Sequence, residues 1–127
     1  MTIEAIRKLF FTGAIFNWLV GLALLFDAPM LFRLFHVSPA PTEPLFVQLF
    51  AWLVIIFGVG YFWISRDPPG HAPIIELGIL GKISVFLVCL AGTVTHMVSW
   101  QMMILATTDL IYAVLFFWAL RTLRTIA

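Results

Sequence analysis

Four apolar runs fill most of the chain, and each has the length of a membrane-spanning helix. The runs cover residues 9–26, 45–64, 74–95 and 102–120. An α-helix needs about 20 predominantly apolar residues to cross the hydrocarbon core of a bilayer. The pattern therefore predicts an all-α membrane protein with four transmembrane helices in an antiparallel bundle.

Composition argues against a soluble domain of this size. The chain has 127 residues, of which 63% are hydrophobic and 10% charged, and its mean hydropathy is +1.10. A soluble domain this small could not bury so much apolar surface. Seven basic and six acidic residues leave a net charge of +1, whereas nucleic-acid binding needs a concentrated basic face. We expect one membrane domain, residues 1–127, that contacts membrane lipids and no nucleic acid.

Basic residues flank the apolar runs unevenly, which predicts an orientation. The first connection contains Arg33, and the third contains no Lys or Arg. The other flanking basic residues lie at the termini or in the second connection: Arg7, Lys8, Arg66, Arg121 and Arg124. Cytoplasmic loops carry the excess of Lys and Arg. We therefore expect a bacterial inner-membrane protein whose two termini both lie in the cytoplasm.

The first connection, residues 27–44, is the longest and has the features of a short helix. Asp27 can cap a helix start, and Pro29 is tolerated in a first turn because its missing N–H has no helical partner there. Residues 29–36 are largely apolar but too few to span a membrane. We expect a short interfacial helix between the first and second transmembrane helices, with a lipid-touching loop as the alternative.

Small and polar residues follow one face of three of the predicted helices. They are Gly13, Asn17 and Gly21 in the first; Gly78, Lys82, Cys89, Thr93 and His96 in the third; and Ala106, Asp109 and Ala113, beside Tyr112, in the fourth. In lipid, small and polar side chains face the bundle interior and large apolar ones face outward. These faces therefore predict the interior of the bundle.

Three of these interior residues lie at similar depth. Asn17 and Lys82 are each nine residues from the cytoplasmic end of their helix, or ~13 Å, and Asp109 is twelve residues in, or ~18 Å. A charge in lipid is costly unless it is paired. We predict a buried polar site of Asn17, Lys82 and Asp109. In the alternative, Lys82 snorkels to the cytoplasmic surface near Glu76, although a separation of six residues puts these two on different helix faces.

Four further residues are secondary candidates for the site: Tyr61, Glu76, His96 and Tyr112. The three histidines, His36, His71 and His96, fall in three separate regions, and no Cys/His cluster with ligand spacing occurs in the sequence. We therefore expect no metal site and no cofactor, haem included. The lone Cys89 is interpreted as a small packing residue.

Several sequence features are shared with one group of membrane proteins. They are four spans with short loops, Arg66-Asp67-Pro68 after the second span, Gly78 four residues before Lys82, and Asp109 in the fourth span. Over its whole length the chain resembles the small four-helix bacterial membrane proteins of the broad DoxX-like kind. Some of these are associated with quinone or sulfur redox complexes. The sequence contains no redox motif, so the resemblance implies the fold and assigns no redox role to any residue.

Three functions are compatible with these features. The expected one is a non-enzymatic accessory or hydrophobic-ligand-binding protein, which forms homo-oligomers or joins a membrane complex because four short helices enclose little volume. A proton-coupled transporter would use Lys82 and Asp109 as its proton-linked pair and needs a water-lined path to both sides. A membrane enzyme acting on an isoprenoid or quinone would move a proton through Asp109 or His96 and needs an apolar cavity that reaches one of them.

The orientation can be tested with a reporter that is active only in the periplasm. Fused after Ala127, the reporter should be silent because the C-terminus is expected to be cytoplasmic. The same reporter inserted after Ser99, in the third connection, should be active and serves as the control. The reverse pattern of activities would show that the topology is inverted.

Overall fold

The computed structural model describes residues 1–126, which form four long helices. They are α1 (Ile3–Leu34), α2 (Pro44–Arg66), α3 (Ala72–Val94) and α4 (Met102–Ile126). Each is long and apolar enough to cross a membrane. The prediction of an all-α bundle with four membrane-spanning helices is therefore confirmed.

The first and last helices of the chain, α1 and α4, continue beyond their apolar runs. α1 begins at Ile3, where the Thr2 hydroxyl caps the helix by accepting the Ala5 N–H at 3.1 Å. α4 continues to Ile126, past the end of its apolar run at residue 120. The added turns carry polar side chains, which are accommodated where a helix leaves the hydrocarbon core.

A kink at Asp27 separates the last part of α1 from its spanning part. Asp27 has non-helical backbone angles, φ −154° and ψ 64°, and its Oδ1 accepts the Met30 N–H at 3.2 Å. Asp27 thus caps a new helical start, with Pro29 in the following turn, where its missing N–H costs no hydrogen bond. The short helix that the sequence predicts between the first two spans is therefore present as residues 28–34, which form the last part of α1 beyond the kink.

Prolines separate α2 from α3. α2 ends at Arg66, a single 3₁₀ turn covers Pro68–His71, and Pro73 lies in the first turn of α3. A proline cannot donate a backbone hydrogen bond to the preceding turn, so it ends a helix but is tolerated at the next start. The connection is short, and the two helices run in opposite directions.

The helices associate as two hairpins. α1 packs most extensively on α2, and α3 on α4, whereas contacts between the two pairs are fewer. At one end of the bundle, the connection between α1 and α2 contacts the connection between α3 and α4. There the Ser38 N–H donates to Ser99 Oγ at 2.9 Å, and the Ser99 N–H donates to the Ser38 carbonyl oxygen at 2.7 Å.

Among the described residues, buried apolar side chains form two clusters, one near each end of the bundle. The larger cluster, near the termini, comprises Ile6, Phe10, Ala14, Tyr61, Ile64, Ile75, Phe116, Ala119, Leu120 and Leu123. The smaller cluster, near the first and third connections, comprises Leu24, Leu31, Phe32, Val37 and Ala51. Polar side chains occupy the level between them.

The outward faces of the helices are apolar. Leu19, Val88 and Val114 are 66%, 72% and 61% exposed, while the charged Lys82 is only 4% exposed. A soluble protein has the opposite arrangement, with exposed charges and buried apolar side chains. An apolar surface that surrounds a buried charge is the arrangement of a protein that is surrounded by lipid.

The contact between α1 and α2 depends on Gly21. A Cβ atom at this position would lie 2.6 Å from Ile55 Cγ1 and 3.2 Å from the Ala51 carbonyl oxygen, so Gly21→Ala should overpack the interface. Gly81→Ala is the matched control, because its nearest neighbour, Phe57 Cε1, would be 3.9 Å away. We expect Gly21→Ala to be less stable than Gly81→Ala by ~1–3 kcal/mol in detergent unfolding. Equal stability of the two variants would contradict this close approach.

Candidate functional site

The centre of the bundle contains a buried ion pair. Lys82 Nζ on α3 donates a hydrogen bond to Asp109 Oδ1 on α4 at 2.7 Å. Their side chains are 5% and 19% exposed, so solvent screens the pair little. Six residues earlier on α3, Glu76 lies at the surface and pairs with Arg124 instead. The buried Lys82–Asp109 pair is therefore confirmed, and Lys82 does not reach toward Glu76.

Asn17 links the ion pair to the other hairpin. Its Oδ1 accepts a hydrogen bond from Lys82 Nζ at 3.3 Å, and its Nδ2 donates to the Val54 carbonyl oxygen of α2 at 3.1 Å. One side chain of α1 thus connects α2 with the charged residues of α3 and α4. A buried amide is stable when its polar groups are hydrogen-bonded in this way.

Three aromatic rings surround the ammonium group of Lys82. The ring centroids of Phe16, Tyr61 and Tyr112 lie 5.4, 5.5 and 5.2 Å from Lys82 Nζ. A cation within about 6 Å of an aromatic face is attracted by the ring quadrupole. The rings therefore supply part of the stabilisation that water would give this charge at a surface.

Gly78 on α3 leaves room for the Tyr61 ring. A Cβ atom at Gly78 would lie 2.8 Å from Tyr61 Cε1 and 3.2 Å from Tyr61 Oη. Tyr61 is 1% exposed and packs edge-on against Phe116, with ring centroids 5.1 Å apart. The small residue that precedes Lys82 by one turn therefore makes room for a wall of the site.

Not every candidate from the sequence lies at the site. Tyr61 and Tyr112 contact it through their rings, and the Tyr112 hydroxyl donates to Thr12 Oγ1 at 3.3 Å. Glu76 is at the surface. His96 lies beyond the end of α3 with a positive φ of 61° and is exposed. The helical spacing that placed His96 on the interior stripe does not apply, because α3 ends at Val94.

Phe16 belongs to the site although the sequence analysis did not single it out. It is one of many phenylalanines on apolar helices, and its type carries no signal of a polar site. Its position next to Asn17 was the available indication, because neighbours on a helix lie at nearly the same depth.

An elongated cavity of about 620 Å³ extends from the ion pair between the hairpins. Along α2 its wall runs from Tyr61 to Phe46, a separation of 15 residues or about 22 Å of helix. Apolar side chains from all of the helices line most of this length, including Val85 on α3 and Leu105 on α4. A pocket of this size holds a ligand of several hundred daltons.

The two ends of the cavity are polar. The charged end is formed by Asn17, Lys82 and Asp109, and the exposed residues Thr42 and Glu43 line the other end. The walls between them are apolar. This distribution matches a molecule with a long apolar body and a polar group at the terminus that reaches the ion pair.

Beyond the charged end, toward the chain termini, the bundle is filled by the larger apolar cluster. The rings of Phe10 and Phe116 stack with centroids 4.3 Å apart, and Tyr61 packs against both. The cavity thus ends at the ion pair, with closely packed side chains behind it.

Comparison with family models, curated proteins and solved structures finds no match for this chain. Among residues 1–126, no group of three or more His, Cys, Asp or Glu side chains lies close enough together to hold a metal ion.

Coupling between the two charges can be measured with a double-mutant cycle of Lys82→Met and Asp109→Leu. Each single variant leaves the other charge buried alone, which costs ~3–5 kcal/mol, whereas the double variant removes both charges. We expect the loss of stability in the double variant to be smaller than the sum of the single losses, read from unfolding in detergent. Additive losses would show that each charge is stabilised mainly by another partner, such as Asn17.

Proposed function

We propose that this protein is a small bacterial inner-membrane protein that binds a hydrophobic ligand between its two helical hairpins. The observation that carries the proposal is the cavity of about 620 Å³, apolar along its walls, that ends at the Lys82–Asp109 pair. In this role the protein is an accessory subunit or ligand carrier, acting as a homo-oligomer or with a membrane partner. The DoxX-like resemblance and the cytoplasmic placement of both termini belong to the same proposal.

The shape of the site supports binding over proton-coupled transport. A transporter needs access to the ion pair from both sides of the membrane. The stacked Phe10 and Phe116 rings, with Tyr61, fill the bundle on the side toward the termini. The cavity approaches the pair from the opposite side. A site with one closed end suits a ligand that enters and leaves by the same route.

The positions of the titratable groups support binding over catalysis. An enzyme acting on a lipid-soluble substrate also needs a cavity that reaches Asp109, and this cavity does. Proton transfer needs an acid or base that is free to exchange its proton. Asp109 Oδ1 is held by Lys82 at 2.7 Å, and the exposed His96 lies beyond the end of α3. The ion pair is better placed to anchor a head group than to transform it.

Filling the cavity should reduce binding several-fold without disturbing the fold. Gly81 lines the cavity, and a Cβ atom there would have 3.9 Å to its nearest neighbour, Phe57 Cε1. Gly81→Leu should therefore place its branched end in the cavity, whereas Gly81→Ala adds one methyl group and serves as the control. We expect mass spectrometry of the purified proteins to find a lipid-soluble molecule with wild type and Gly81→Ala and several-fold less of it with Gly81→Leu.

The measurement also defines what would contradict the proposal. Equal amounts of the same molecules in wild type and a folded Gly81→Leu variant would mean that they bind to the outer surface rather than in the cavity. Phospholipid content serves as the internal reference, because annular lipid should be unchanged in all three proteins.

A further inference from the structure

The charged end of the cavity has hydrogen-bonding capacity left over. A lysine ammonium carries three N–H donors. Within residues 1–126, Lys82 donates two hydrogen bonds, to Asp109 Oδ1 at 2.7 Å and to Asn17 Oδ1 at 3.3 Å. Lys82 is 4% exposed and lines the cavity. A buried donor of this kind is costly to leave unpaired, so the third N–H is an anchor for an acceptor atom of a ligand.

An acceptor lies beside this donor. A carboxylate has about four acceptor positions on its two oxygens. Among residues 1–126, the hydrogen bond that Asp109 accepts comes from Lys82 and ends on Oδ1. Asp109 also lines the cavity and keeps 19% of its side chain exposed. A ligand at the charged end therefore meets a donor on α3 and an acceptor on α4 within one hydrogen-bond length of each other.

From this juxtaposition we infer that the cavity selects a neutral lipid alcohol, whose terminal hydroxyl accepts from Lys82 Nζ and donates to Asp109. The inference rests on the proposed function, since it names the class of ligand for the same cavity. A hydroxyl group is both donor and acceptor, so it can use the two partners at once. The walls require that the rest of the molecule be a long apolar chain.

Head groups that carry a net charge, or that lack a donor, satisfy only part of the site. A carboxylate would accept from Lys82 but would be repelled by Asp109, and an ammonium group would donate to Asp109 but be repelled by Lys82. Both repulsions are strong in a low-dielectric interior. An ether oxygen accepts from Lys82 but has no hydrogen to donate to the remaining acceptor positions of Asp109. Because Lys82 and Asp109 carry opposite charges, the site as a whole favours a head group with no net charge.

A series of probes with one chain and different heads tests this inference. Tritiated tetradecanol is incubated with the purified protein in dodecyl maltoside, and the bound fraction is measured after gel filtration. Unlabelled tetradecanol, its methyl ether, tetradecanoic acid and tetradecylamine then compete for the site. We expect tetradecanol to compete best and each of the others to be about tenfold weaker or more, the effect of losing one hydrogen bond to a charged group.

The controls separate the cavity from the micelle. Gly81→Leu should lose the retained tetradecanol, and Gly81→Ala should keep it. The Lys82→Met/Asp109→Leu double variant should bind tetradecanol and its methyl ether equally, because neither charge remains. If that variant does not fold, the competition series with wild type decides the question by itself.

One result would refute the choice of a neutral alcohol, and another would refute binding in the cavity. Competition by tetradecanoic acid or tetradecylamine equal to or better than that of tetradecanol would refute the choice of a neutral alcohol and leave ligand binding in the cavity intact. Retention of tetradecanol that is the same in wild type and Gly81→Leu would mean that the probe is not bound in the cavity, which counts against the proposed function itself.

Discussion

The ion pair between Lys82 and Asp109 is the interaction on which the interior of this protein depends. An ammonium and a carboxylate removed from water lose several kcal/mol of hydration each, and their mutual attraction offsets this only with good geometry and additional hydrogen bonds. Here the distance is 2.7 Å, Asn17 supplies a further acceptor, and aromatic rings surround the cation. These partners come from all four helices, because Tyr61 of α2 is one of the rings and the Val54 carbonyl oxygen of α2 accepts a hydrogen bond from Asn17. The ion pair and its partners therefore link all four helices at one level of the bundle.

Glycines lie both at close contacts between helices and beside the cavity. Gly21 on α1 faces Ile55 of α2, and Gly58 on α2 faces Trp18 of α1, so these two backbones approach closely. A Cβ atom at Gly81 on α3, in contrast, would have only Phe57 within 4 Å, with its Cε1 at 3.9 Å. The same residue type thus closes one interface and leaves room in another, and the cavity occupies the second.

The sequence predicts the spanning helices and the buried ion pair, because an error in either would leave polar groups unpaired in lipid. Long apolar runs require spanning helices, and a lysine and an aspartate at similar depth in lipid require each other, so the pair followed from counting residues. The Phe16 ring and the cavity did not follow, because apolar side chains that face a ligand, another helix or lipid look alike in sequence. His96 was placed on the interior stripe by extending helical spacing past Val94, where the helix ends.

The contrast between the apolar walls and the charged end has a consequence for how such a site discriminates. A lipid-soluble molecule reaches the protein from the bilayer, where its chain is already surrounded by hydrocarbon. Moving that chain into an apolar cavity gains little free energy, because lipid tails and aliphatic side chains are similar solvents. Selectivity must then come from the few atoms that the bilayer interior cannot solvate. Under the proposed function, the protein competes with the membrane for the head group, and occupancy depends on the mole fraction of ligand in the lipid rather than on its concentration in water.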